Sequence, residues 1–299
     1  MRVLVIGGNR FLGVELTARL LARGDEVTLL NRGTLVDPFG DRVKRLVADR
    51  GTDAFDRALA QEANWDAVVD FALFDGPQTE RLIRVLGGKA AHVIAISTGQ
   101  VYLVRTPRPV IAAESDFDGP VLAAAPTPAE EEDWKYGIEK RAVENLLAAS
   151  SLQFTVFRLP MVHGARDQKQ RLGRLFWKLL DREPIRLRRP DASVRQVFSG
   201  AVVDALVSSL DRGASRSAWN LAWSEELTAS QFVEHAARAV GATPRIVSDE
   251  SATLEDCFLN SRWMSALDAT AARNAWGFTH PPLQEWLARV AHGWMSRPA

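Results

Sequence analysis

Seven residues near the N-terminus, Gly7-Gly8-Asn9-Arg10-Phe11-Leu12-Gly13, restrict the folds open to this chain more than any other feature. They follow the apolar run Arg2 to Ile6 and lead directly into an amphipathic segment that starts at Val14. In that segment Leu16, Leu20 and Leu21 recur at helical spacing, and Gly24 supplies the stop. Strand, glycine-rich turn and helix in immediate succession place backbone amides at the positive end of a helix, where they can approach a pyrophosphate. Gly13 lets helix and strand pack closely. Glycines also mark ordinary tight turns, so the reading rests on the strand-loop-helix context. Gly7, Asn9, Arg10, Phe11, Leu12 and Gly13 are the first candidate residues of a dinucleotide site.

Past this loop, short apolar runs keep alternating with amphipathic segments, the pattern of a parallel sheet wound with helices. Predicted strands are Arg2 to Ile6, Glu26 to Leu30, Arg42 to Val47, Ala67 to Phe71 and His92 to Ser97. Phe154 to Leu159 and Ile185 to Leu187 are expected to extend the same sheet. From Val104 to Glu132 the pattern breaks into a stretch with Pro107, Pro109, Pro120, Pro126 and Pro128, read as a long surface excursion beside the site. Beyond Gly164 the alternation weakens, and six of the nine tryptophans lie between Trp219 and Trp294, which marks a second, smaller lobe. The expected fold is α/β: a Rossmann-type doubly wound parallel sheet over residues 1–164, with strand contributions from about 185–205, and a small C-terminal substrate lobe over 165–299.

Composition narrows the function classes. The 37 basic residues balance the 37 acidic ones, which removes the general electrostatic pull towards nucleic acid or an anionic membrane. A single cysteine, Cys257, excludes an intrachain disulfide and a cysteine zinc cluster, and the five histidines show no metal-ligand spacing, so no metal site is expected. The apolar run before Gly7 is too short for a signal-peptide core, and no stretch approaches the ~20 apolar residues of a membrane span. A cytoplasmic protein is therefore expected.

The strand ends carry the candidate chemistry. After the second strand stands Asn31-Arg32-Gly33, where an acid would otherwise bind the adenine ribose 2′-hydroxyl. An arginine without that acid favours a 2′-phosphate, hence NADP(H) over NAD(H), unless the two residues form only a solvated turn. Asp49 can accept from the adenine amino group or cap a helix, and Ala72 is small enough to let a cofactor lie close. Ser97-Thr98-Gly99-Gln100 ends the fifth strand, and Tyr136-Gly137-Ile138-Glu139-Lys140 opens a helical segment. The four-residue spacing puts Tyr136 and Lys140 on one helix face, so an ammonium can lower the phenol's pKa for proton exchange with a substrate oxygen that Thr98 also binds. With two tyrosines and six lysines in the chain, composition alone would yield such a pair about 0.04 times. A core tyrosine beside a snorkelling lysine is the alternative.

These motifs, with Arg158-Leu159-Pro160-Met161-Val162-His163-Gly164, resemble the extended short-chain dehydrogenase/reductase family of NAD(P)-dependent nucleotide-sugar epimerases, dehydratases and related reductases, over nearly the whole chain. The resemblance implies Thr98, Tyr136 and Lys140 as the catalytic trio, with Lys140 also holding the nicotinamide ribose and Pro160 and Val162 bordering the nicotinamide. It implies a homodimer through two helices of the N-terminal domain. Arg10 stands where the family usually has its middle glycine, which looks like an atypical branch; relatives there have often lost the tyrosine and lysine, and some resemble RNA-binding proteins. Sugar 4,6-dehydratases carry acids straight after the strand-five threonine, whereas Gly99 and Gln100 follow here, which disfavours that dehydration.

Candidate substrate contacts are Gln100, His163 and Arg195, the last by similarity to an arginine that holds the substrate pyrophosphate in epimerases. Arg195 belongs to a basic cluster with Arg186, Arg188 and Arg189, which can equally be a solvated surface run. The six C-terminal tryptophans can stack on a sugar or base, or pack the lobe. The expected activity is hydride transfer at a carbinol or carbonyl carbon of a small-molecule substrate, a nucleotide-activated sugar or related keto compound, with net reduction favoured over epimerisation. A non-catalytic dinucleotide sensor or RNA-associated protein on the same fold is the alternative. The intact trio argues against it, and no nucleic-acid or membrane partner is expected.

Overall fold

The computed structural model describes residues 1–296. Its first half builds strand after strand with a helix between: β1 (Arg2–Ile6), α1 (Phe11–Arg23), β2 (Glu26–Asn31), β3 (Lys44–Val47), α2 (Asp53–Ala60), β4 (Ala67–Asp70), α3 (Gly76–Leu86), β5 (Val93–Thr98), the short α4 (Gln100–Leu103), α5 (Glu131–Ala149) and β6 (Phe154–Leu159). The strands consist largely of Val, Ile, Leu and Ala, and β4 and β6 are buried throughout, as expected where helices cover both faces of a parallel sheet. Helix α1 forms where the sequence predicts it and stops at Gly24, whose φ of 84° allows its amide to return to Leu20 and Leu21. Asp75 caps α3 by accepting from the Gln78 amide.

Then follow β7 (Val162–His163), α6 (Arg171–Leu180), β8 (Pro184–Leu187), β9 (Val197–Phe198), α7 (Ser199–Arg212), β10 (Ala218–Asn220), α8 (Ala229–Ala239), β11 (Arg245–Ser248), α9 (Thr270–Trp276) and α10 (Leu283–Met295). The main sheet has seven parallel strands in the order β10-β6-β5-β4-β1-β2-β3. Its seventh strand is β10. The segment Ile185 to Leu187, expected in this sheet, instead pairs with β11 in a separate two-stranded sheet, and Val197–Phe198 pairs with β7 in another. Residues 185–205 therefore add no strand to the main sheet. What they add is α7, which packs beside α1.

The chain order reverses between β1 and β4, and the register aligns Ile6 with Leu30 and with Asp70, and Thr98 with Leu159. The carboxyl ends of the central strands thus form one edge, and a crevice opens where the order reverses. Apolar clusters fill both faces of the sheet, and a third cluster, rich in Phe and Trp, forms the core of the C-terminal lobe. The proline-rich excursion bridges the two parts. Ala112 donates to Ala266 and accepts from Asp268, both at 2.9 Å, and Arg141 of α5 reaches the Phe117 carbonyl.

Beneath the strand ends lies a buried polar network. Arg158 of β6 makes a forked ion pair with Glu144 of α5, donating from Nη2 at 2.6 Å, and Glu144 also accepts from the Ser97 hydroxyl. Arg158 donates to Tyr102, whose hydroxyl donates to Asn220. Breaking one partner of such a pair leaves a buried charge uncompensated, so the network fixes α5 against β5 and β6. Among the described residues no helix is long and apolar enough to cross a membrane, and no cluster of three or more His, Cys, Asp or Glu can hold a metal.

Candidate active site

A cleft of about 1040 Å³ runs along the carboxyl edge of the sheet. At one end stands the glycine loop. Gly7 has φ 81°, and a Cβ on Gly13 would fall 2.6 Å from Gly8 Cα and 2.8 Å from the Gly7 carbonyl, so only glycine lets α1 start this close to the turn. Arg10 is the N-cap of α1 but makes no side-chain capping bond, and the first turn carries no acid. The positive end of the helix is left to whatever enters the cleft, which fits the phosphates of a dinucleotide. Gly7, Asn9, Arg10, Phe11, Leu12 and Gly13 all line this end.

Asn31, Arg32, Asp49 and Ala72 line the same cleft. The Asn31 side chain accepts from the Gly33 amide at 2.8 Å, and Asp49 accepts from the Gly51 amide at 2.8 Å, so each carboxyl or amide oxygen shapes a turn beside the cleft wall. Helix α2 takes Thr52, not Asp49, as its N-cap. Arg10 and Arg32 are exposed and form no ion pair among the described residues.

At the other end Thr98, Gln100, Tyr136, Pro160 and Val162 converge. Tyr136 and Thr98 line this end of the cleft together, and Thr98 Oγ1 accepts from the Gln100 amide at 3.2 Å. Burial raises the Tyr136 pKa, and the neighbouring Thr98 hydroxyl only partly opposes this. The expected direct lowering by Lys140 is absent. Lys140 is buried beneath the wall rather than lining it, with its ammonium 5.8 Å from the Tyr136 ring centre, and it donates to the carbonyls of Leu73 (2.6 Å) and Ile96 (2.8 Å). Burial brings Lys140 down to about 8, against the opposing pull of Asp70 and Glu144.

Two expected substrate contacts lie elsewhere. His163 is wholly buried, its Nε2 faces Gln196, and its ring stacks on Trp286 at 5.8 Å; burial holds it at about 4, a neutral core histidine. Arg195 pairs with Glu226 at 3.0 Å and does not line the cleft. Its neighbours in the basic cluster are also engaged, Arg186 with Asp249 and Arg188 with the Ala252 carbonyl. Of the C-terminal tryptophans, Trp223, Trp286 and Trp294 pack the lobe and Trp219 and Trp276 pack against the sheet, while Trp263 lines the cleft.

The NAD dependent epimerase/dehydratase family matches residues 3–222. The chain belongs to this family. No curated protein matches it in sequence. Among solved structures, it is similar to the enzyme WbmH of Bordetella bronchiseptica in complex with NAD+, at 19% identity over 99% of this chain and 98% of that one, with a TM-score of 0.74. UDP-glucose 4-epimerase of Thermus thermophilus in complex with NAD is also 19% identical, over 99% of both chains, with a TM-score of 0.74. dTDP-glucose 4,6-dehydratase of Bacillus anthracis in complex with NAD is 15% identical over 99% of this chain and 96% of that one, with a TM-score of 0.76. At such identities the likeness is one of fold.

This epimerase/dehydratase-family member has further cleft residues that its motifs do not reveal. Lys169 and Arg171 line the cleft between β7 and α6, where Asp167 accepts from both their backbone amides and from the Arg171 guanidinium. Glu132 and Asp133 come from the start of α5, and Asp133 accepts from Gln100 Nε2 at 3.0 Å. Trp263, Met264 and Ser265 come from the lobe, and Arg50, next to Asp49, pairs with the buried Asp70. None of these has a periodicity or spacing signal.

Proposed function

We propose that this protein is an NADP(H)-preferring enzyme of its family that moves a hydride at a carbinol or carbonyl carbon of a nucleotide-activated sugar or related keto compound, with net reduction as its reaction. One observation carries the reading: Thr98 and Tyr136 share a single cleft with the uncapped start of α1. The residues fit a dinucleotide. The α1 amides suit its pyrophosphate, Pro160 and Val162 flank the far end, and Gly7 and Ala72 leave a floor without long side chains. The NAD in the three similar structures, and the UDP- and dTDP-glucose in the names of two of them, support the same assignment by likeness of fold.

When bound, the nicotinamide supplies or accepts the hydride. Tyr136 Oη gives a proton to the substrate oxygen in the reducing direction and takes it back in the reverse one. Thr98 Oγ1, at the same end of the cleft, holds that oxygen. Lys140 acts from below. Its two carbonyl bonds fix the turn at Leu73 against the end of β5, which positions the wall that carries Thr98 and faces Tyr136. Lys169 and Arg171 supply cations at the substrate side in place of Arg195, which suits a phosphorylated substrate.

The cofactor preference rests on Arg10 and Arg32, whose charges have no ion-pair partner among the described residues, and on the Asn31 oxygen being held by Gly33. The test is to titrate purified protein with NADPH and NADH and then follow cofactor oxidation over a panel of UDP- and dTDP-linked keto sugars. Tight retention of NAD with interconversion of sugar epimers and no net oxidation would move the assignment to an epimerase. Binding without any turnover would remove the enzyme reading.

A further inference from the structure

The residue between Thr98 and Gln100 has no side chain, and space rather than backbone conformation explains it. Gly99 has φ −67° and ψ −9°, a conformation open to any residue. A Cβ there would fall 2.0 Å from Ser265 Oγ, 2.6 Å from Ser265 Cβ and 3.0 Å from Leu267 Cδ2. A serine from the C-terminal lobe therefore occupies the volume that a side chain on the end of β5 would fill.

Ser265 lines the cleft, and its hydroxyl has no hydrogen-bond partner among the described residues. The segment that carries it is held from several directions. Trp263 donates from its ring to Glu130 at 3.1 Å and lies under the Arg108 guanidinium at 4.3 Å. Ala266 accepts from Ala112, and the Asp268 carbonyl accepts from the buried Asn220 at 3.1 Å. A hydroxyl on a backbone fixed this way is preorganised for a ligand, because little rotameric freedom is lost when it binds.

We propose that Ser265 is a substrate-contacting residue that binds the hydroxyl on the carbon next to the reacting one, so that the enzyme selects substrates with a vicinal hydroxyl. The proposal deepens the function assigned to Thr98 and Tyr136 and rests on it. On that reading Thr98 and Tyr136 hold the reacting oxygen, and Ser265, which lines the same cleft and fills the space over Gly99, the residue next to Thr98, is placed for the adjacent oxygen of the same substrate. A serine both donates and accepts, so it serves an alcohol or a carbonyl neighbour.

The experiment uses the first UDP- or dTDP-hexose derivative that the wild type turns over, together with its analogue deoxygenated at the carbon next to the reacting one. Ser265→Ala is expected to lose about 10- to 100-fold in kcat/KM on the hydroxylated substrate and less than about threefold on the deoxy analogue. The double variant Gly99→Ser with Ser265→Gly, which returns the hydroxyl from the strand side, recovers part of the loss. Tyr136→Phe suppresses turnover of both substrates. An equal loss on both substrates with Ser265→Ala, or no loss on either, would overturn the role of Ser265 while leaving the reading of Tyr136 intact. Failure of the wild type on every member of the panel would overturn that reading and the proposal with it.

Discussion

Gly13 and Gly99 are two glycines forced by contact, at opposite ends of one cleft, and they differ in what touches them. Gly13 meets the backbone of Gly7 and Gly8, within its own strand-loop-helix unit. Gly99 meets the side chain of Ser265, more than half the chain away, across the boundary with the C-terminal lobe. The first contact is built into the geometry of one local motif and cannot be relieved, since Gly8 is already the smallest residue. The second is an exchange of volume between two positions, and either can yield. The glycine-loop end of the cleft is therefore rigid and generic, whereas the end beside Thr98 is assembled from distant pieces that can be traded.

The largest expected effect tests whether the locally encoded wall carries the chemistry. Tyr136→Phe should reduce turnover by about 10²–10⁴-fold with dinucleotide affinity unchanged, measured by steady-state kinetics beside a binding titration. Undiminished turnover would detach the chemistry from the sheet edge altogether. The glycines themselves come next. Gly13→Ala and Gly99→Ala should each destabilise the fold by about 1–3 kcal/mol in urea unfolding, as overpacked sites do. Adding Ser265→Gly should restore stability to Gly99→Ala; if it does not, the contrast between local and traded space is broken.

A smaller effect sharpens the description of the cofactor end. Arg32→Ala should weaken NADPH binding about tenfold and leave NADH binding unchanged, since one charge-assisted contact to a phosphate is removed. Equal weakening of both would show that Arg32 serves the turn rather than the 2′-phosphate. The smallest effect is a pH dependence. Lys140 is cationic below about 8, so turnover in the reducing direction should fall as pH rises through that value, and Lys140→Met should abolish this limb. The sign for stability is opposite. Because the folded-state value lies below the ordinary lysine value, the fold gains stability as pH rises from about 8 towards the unfolded value, and Lys140→Met should flatten that rise in urea unfolding.

Much of the cleft's sheet-side wall was legible because its residues follow strand ends. Asn31, Asp49, Ala72 and Thr98 each come directly after, or at the close of, a predicted strand, and a parallel sheet brings all such positions to one edge. The expected substrate contacts resisted the same reading. His163 follows the sixth strand and yet turns into the lobe core, where Phe232, Phe258 and Trp286 surround it. Arg195 sits in a basic run whose charges are paired with acids far along the chain, Glu226 and Asp249 among them. Such partners leave no mark on local spacing. The misplaced strand Ile185 to Leu187 has the same origin: a short apolar run states that it will pair, not with which sheet.

By itself, the sequence determined the parallel α/β core, the glycine turn under the start of α1, and the chain order that leads from that turn through Thr98 to Tyr136 and Lys140. These depend on periodicity, on turn chemistry and on contacts within one strand-helix unit, all of which act over a few residues. Tertiary structure alone decided that the Lys140 ammonium bonds the Leu73 and Ile96 carbonyls instead of facing the phenol, that Lys169 and Arg171 rather than Arg195 border the cleft, and that Ser265 fills the space over Gly99. The physical reason is that burial, ion pairing and close packing depend on which distant surfaces meet, and a residue's own neighbours in sequence do not specify that.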